Sequence, residues 1–151
     1  MFILVHSIFS IIALILGSIS LMKIKGTHCH KFIGWLFVLC MFLSAISSFG
    51  IYNKNFSVIH ILSLLVIFWL SKAIYAIRFK PKNWLHIHVS SVGAAYITIL
   101  IAGVGGLVRK VILPGNIHAG YVASGILAII LIYFLKSMTN KYKGNESYDQ
   151  K

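Results

Sequence analysis

Apolar residues run almost unbroken through five stretches of the chain, 2–22, 32–52, 56–77, 85–108 and 117–135, and polar residues gather in the gaps between them. Each stretch is about the length needed to cross a hydrocarbon core roughly 30 Å thick. The gaps, 23–31, 53–55, 78–84 and 109–116, are short, and short connections make successive helices antiparallel neighbours. Pro81 and the Pro114-Gly115-Asn116 run are helix breakers placed where the hydropathy already falls. The pattern predicts an all-α membrane protein, an up-down bundle of five transmembrane helices. Residues 1–138 form a single transmembrane domain, and the polar stretch 139–151 reads as a disordered cytoplasmic tail.

Composition agrees. Of 151 residues, 59% are hydrophobic and 11% are charged, and mean hydropathy is +0.91. A water-soluble domain carries about a quarter charged residues, so a soluble core is the wrong frame. Within the five stretches the one formal charge is Lys72, a turn or two from the end of the third, where its stem can snorkel to the surface. The first stretch has no basic leader and no A-x-A-like site before Lys23, and is expected to be a retained helix rather than a signal peptide.

Charge orients the bundle. Lys23, Lys25, Lys31, Lys72, Arg78, Lys80, Lys82, Lys136, Lys141, Lys143 and Lys151 fall on one side, and Lys54, Arg109 and Lys110 on the other. The positive-inside rule puts the N-terminus outside and the C-terminus in the cytoplasm, as in a multi-pass protein of the cell's inner (cytoplasmic) membrane. The net charge of +12 is then mainly a topology signal, helped by attraction to anionic lipid. Nucleic-acid binding is excluded, since no basic domain exists to do it. Cys29 and Cys40 lie about 16 Å apart along one helix, beyond the roughly 7 Å a disulfide allows.

Small residues line two of the stretches: Gly34, Ser44, Ala45, Ser47 and Ser48 in the second, and Ser90, Ser91, Gly93, Ala94, Ala95, Gly103, Gly105 and Gly106 in the fourth. They let helix backbones approach, or make room for a flat prosthetic group. Trp35, Tyr52, Tyr75 and Trp84 fall near the expected interfaces, whereas Trp69 falls near the middle of the third stretch.

The candidate chemistry is histidine. The only carboxylates, Glu146 and Asp149, lie in the tail. Seven histidines form two layers, His28, His30, His86 and His88 at the cytoplasmic helix ends and His6, His60 and His118 at the outer ends. Imidazoles inside a membrane ligate metal or haem, relay protons or hold a polar partner. Residues two apart on a helix point about 200° apart, so one of each close pair faces inward. His30 and His88 are the deeper members and the expected cytoplasmic-side pair. His60 and His118 each start a helix on the outer side, with His6 at similar depth.

This pairing of second helix with fourth and third with fifth resembles the cytochrome b561 arrangement, in which four core helices hold two haems through cross-helix histidines. It rests on the alternation of His30, His60, His88 and His118, spaced 30, 28 and 30 residues apart. The resemblance implies haem b near each membrane surface with these four as axial ligands, and propionates met by Arg78 with Lys80 and by Arg109 with Lys110. From His30 to the level of His60, the second helix climbs on the order of 28 Å. At the level of motifs, His28-x-His30-Lys31-x-x-Gly34-Trp35-Leu36-Phe37-Val38, Ser47-Ser48-Phe49 and Phe56-Ser57-x-Ile59-His60-x-Leu62-Ser63-Leu64 resemble a bacterial family of small predicted membrane proteins, a domain of unknown function. That match covers roughly residues 28 to 108 and implies an integral membrane protein of four or five spans.

Three functions follow from these residues. The first is a b-type haem cytochrome carrying electrons, with a quinol or a redox protein as partner. The second is a zinc or copper site of His6, His60 and His118 with an open fourth position, for metal handling or assembly of a respiratory complex. The third is a non-catalytic bundle whose histidines fasten helices together. A coupled transporter ranks below these, since the spans hold no acidic residue and show no inverted repeat.

Overall fold

The computed structural model describes residues 1–51, 57–140 and 142. Five helices account for nearly all of them: α1 (Phe2–Met22), α2 (His28–Phe49), α3 (Val58–Phe79), α4 (Trp84–Leu107) and α5 (Ile117–Asn140). Each is long and apolar enough to cross a membrane. Their outward faces carry large apolar side chains, Ile129 72% and Tyr133 77% exposed among them. Water would not tolerate apolar surface on that scale, and lipid does. The chain is a multi-pass, all-α membrane protein.

Helix boundaries differ from the hydropathy limits for local reasons. The α2 helix begins four residues early because Thr27 caps it, Thr27 Oγ1 accepting from the His30 backbone N–H at 3.2 Å. His28, Cys29 and His30 are therefore its first turn, not part of a loop. It ends at Phe49, with the Gly50 N–H folded back onto the Ser47 and Ser48 carbonyls. Beyond α4, a π-helical turn (Val108–Ile112) carries Arg109 and Lys110 on helical backbone where a loop was expected. The Leu113 N–H closes that turn on the Val108 carbonyl at 2.8 Å. Apolar Val111 and Ile112 extend the helical run past the two charges that end the hydropathy signal. Thr139 is buried in the last turn of α5 rather than lying in a tail. Tyr52, the expected turn at 53–55, Phe56 at the expected start of the third stretch, and residues 141 and 143–151 of the expected tail lie outside the described residues.

The chain forms two compact units, Met1–Ile67 and Phe68–Lys151. In the first, α1 and α2 run antiparallel, tied near both ends: His6 and Ser10 meet Ser44, and Ser20 meets His30. Ala13 and Gly17 are the buried positions of α1, and Phe37 and Met41 are the largest side chains shut into α2. Gly26, at φ +83°, turns the chain between the helices through the left-handed region, where glycine is the cheapest residue. The start of α3 joins α2 through buried hydroxyls, Ser48 Oγ donating to Ser63 Oγ at 2.7 Å.

In the second unit α4 packs along α5, and α4 meets the stretch of α3 from Phe68 onward through His88 and the Ala73 carbonyl. Lys72 does not extend toward the near helix end. Its Nζ lies 5.4 Å from the Trp69 ring centroid, one turn back along the helix, the direction in which helical side chains lean. Trp69 is also stacked edge-on by Phe68 at 5.0 Å. The α4 and α5 backbones close on each other at Gly105 and Gly120, and Ser124 Oγ donates to the Ile101 carbonyl at 3.0 Å. A Cβ added at Gly120 would stand 2.8 Å from the Gly105 carbonyl oxygen, a backbone atom that cannot rotate away. Gly120→Ala is therefore expected to cost roughly 1–3 kcal/mol and lower the thermal midpoint in detergent by about 2–10 °C. Gly125 has nothing within 4 Å of its added Cβ, so Gly125→Ala should leave the midpoint level or raise it. Equal losses in the two variants would contradict this packing.

Candidate functional site

Four of the seven histidines, His6, His30, His60 and His88, have hydrogen-bond partners that separate them by chemistry. In α1, His6 and Ser10 share a face one turn apart. His6 Nδ1 lies 2.8 Å from the Ser44 carbonyl oxygen and 3.2 Å from Ser44 Oγ, which is itself 2.6 Å from Ser10 Oγ. A carbonyl only accepts, so Nδ1 donates. The lone pair of the neutral ring then falls on Nε2.

The same arrangement recurs at the other end of this hairpin. His30, partly buried, has Nδ1 3.3 Å from the Ser20 carbonyl and 3.4 Å from Ser20 Oγ. His28 and Cys29, on the other sides of that first turn, are exposed. The choice of His30 over His28 as the inward residue therefore holds, and the Cys29 thiol does not join it.

His60 is different. It is 8% exposed, its ring 5.5 Å from that of Phe49. Its Nδ1 accepts from the Ser57 backbone N–H at 3.0 Å, with Ser57 Oγ at 3.1 Å. An accepting Nδ1 puts the proton of a neutral ring on Nε2, the reverse of His6 and His30. This histidine closes the start of α3, its side chain reaching back to the backbone N–H of the residue before the helix as the third helical residue of a capping box does.

In the second unit, His88 returns to the first pattern, its Nδ1 3.3 Å from the Ala73 carbonyl of α3. One turn to either side on the same face lie Trp84 and Ser91. Trp84 Nε1 and Ser91 Oγ are buried, and among the described residues neither meets a hydrogen-bond partner. Buried donors left without acceptors cost on the order of 1–3 kcal/mol each, so they mark a place where an acceptor is wanted. Lys80 Nζ sits 5.5 Å from the Trp84 ring. His86 is partly buried and, two residues from His88, points elsewhere. His118 is exposed, the second residue of α5, in a first turn where Asn116 Oδ1 accepts from the Ala119 N–H at 3.0 Å.

Each expected pair, His30 with His88 and His60 with His118, takes one member from each unit, so the geometry bears on each ring singly. Within the first unit, His6 and His60 hold different partners. Among the described residues no three His, Cys, Asp or Glu side chains gather as a metal-holding group. The serines matter more than their small size suggests. Ser44 reads in sequence as a packing residue and Ser20 attracts no notice, yet the main-chain carbonyls of both orient histidines. The available signal was the equal spacing of His6 to Ser20 and of His30 to Ser44.

Comparisons with family models, curated proteins and solved structures find no match to this chain. The likenesses to cytochrome b561 and to the bacterial membrane family therefore stay at the level of histidine order and short motifs. Chemically, the chain offers imidazole nitrogens, hydroxyls and an indole N–H in an apolar setting, with no carboxylate in any span.

Proposed function

We propose that this membrane protein is a b-type haem cytochrome that carries electrons, with His30 and His88 each among the residues that would hold haem. One observation carries the reading: His30 and His88 both donate Nδ1–H to a main-chain carbonyl of a facing helix. Histidines that ligate metal usually hold the other ring nitrogen this way, which fixes the tautomer and aims the Nε2 lone pair. Bound haem would supply one-electron chemistry. The chain's part is to orient the rings, exclude water and supply hydrogen bonds.

The donor set suits that group. Trp84 Nε1 and Ser91 Oγ, the buried donors flanking His88, need acceptor oxygens of the kind a haem propionate provides. Lys80, beside Trp84, and Arg78 at the same helix end add positive charge for it. A zinc or copper site of His6, His60 and His118 has less behind it. It needs three lone pairs about 2 Å from one ion, and the Ser57 N–H already engages Nδ1 of His60. A purely structural bundle uses the same histidine bonds as fasteners but leaves the Trp84 and Ser91 donors unexplained. A membrane quinol or a redox protein would be the electron partner.

The test is the metal content of protein purified in mild detergent. Iron in whole-number ratio to the chain, extractable as haem b, is the expected result. Stoichiometric zinc or copper without iron, or no metal at all, would overturn the reading.

A further inference from the structure

The α1 and α2 helices carry the same two residues at the same spacing. His6 precedes Ser20 by fourteen residues, His30 precedes Ser44 by fourteen, and a shift of twenty-four maps one pair onto the other. The antiparallel packing makes the two pairs reciprocal. His6 of α1 donates to the carbonyl of Ser44 on α2, at 2.8 Å, and His30 of α2 donates to the carbonyl of Ser20 on α1, at 3.3 Å. The hairpin thus has a local two-fold relation, with equivalent histidines at its two ends.

Fourteen residues of α-helix separate those ends by about 21 Å along the axis. That spans most of a hydrocarbon core roughly 30 Å thick and leaves one histidine near each surface. His60, which is buried where His6 is half-buried, is the other candidate at the His6 end in sequence order, and its Nδ1 accepts where that of His6 donates.

We infer that His6, rather than His60, is the axial haem ligand of the outer leaflet, the counterpart of His30 across the α1–α2 hairpin. The inference rests on the haem reading above. Along α2 the rise from His30 is then about 21 Å to the level of His6 instead of on the order of 28 Å to the level of His60, a shorter path for electrons crossing the membrane.

Asparagine separates ligation from helix fastening. Its side-chain N–H can stand in for Nδ1–H and donate to the Ser44 carbonyl, but it has nothing in place of Nε2. The experiment counts haem per chain by pyridine haemochrome in the wild type, His6→Asn, His30→Asn and His60→Asn, each with its thermal midpoint measured. At position 60, the asparagine carbonyl can accept from the Ser57 N–H in place of Nδ1. The expected result is two haems in the wild type, one in His6→Asn and in His30→Asn, and two in His60→Asn. Added imidazole should refill the His6→Asn site. Haem unchanged in His6→Asn, while His30→Asn loses it, would overturn this inference and leave the haem reading standing. A wild type without haem would overturn both. If His6→Asn fails to fold, His6→Gln with the imidazole refill reads the same question: a site not restored by imidazole in folded protein contradicts the assignment.

Discussion

Changing His30 to alanine should abolish the absorbance of the cytoplasmic-side haem, while His28→Ala leaves it intact. The two residues are neighbours in one turn of α2, so the contrast depends on direction alone. His28 is exposed. His30 turns toward α1, where its Nδ1 reaches the Ser20 carbonyl at 3.3 Å. Two residues along a helix swing a side chain by about 200°, so His28 cannot replace it. Loss of the His30–Ser20 hydrogen bond should cost about 0.5–1.5 kcal/mol, too little to unfold the hairpin. The cap on α2 survives, because Thr27 Oγ1 takes the backbone N–H of residue 30 and not its side chain. His28→Ala, at an exposed site, should stay within about 0.5 kcal/mol of wild type. Haem content in folded protein is the measurement. Equal loss from both variants would show that the facing of the first turn is misassigned.

Orientation gives an equally large, all-or-none expectation. Eleven basic residues lie on one side of the five-span map and three on the other. Arg109 and Lys110, two of the minority three, sit on the π-helical turn at the far end of α4. A fluorescent protein that folds only in the cytoplasm, fused after Lys151, should be bright, and alkaline phosphatase fused at the same point should be inactive. The opposite result would invert the membrane sides assigned to His6 and His30 and leave their geometry unchanged.

Hydropathy made the fold legible because five apolar runs in a chain with so few charges have one good solution. It misplaced helix ends wherever a local bond outweighed it. The Thr27 cap drew His28 to His30 into α2, and Val111 and Ile112 carried helical backbone past Arg109 and Lys110. The site was legible in part. Helix geometry favours His30 over His28 as the inward residue, and in the structure His30 is partly buried and His28 exposed. What sequence does not encode is which ring nitrogen meets a partner, because the partners of His6, His30 and His88 are main-chain carbonyls present at every residue. The reversed tautomer of His60 was hidden for the same reason, its partner being the backbone N–H of Ser57. Spacing alone treats His60 and His6 as alike, and hydrogen bonding separates them.

Whether these imidazoles carry haem decides what the protein does. The direct measurement is the dithionite-reduced minus air-oxidised absorption spectrum of the purified full-length protein. A Soret band that sharpens and shifts on reduction, with α and β bands of a six-coordinate b-type haem, is the predicted result. A flat difference spectrum from folded protein expressed with ample haem supply would contradict it.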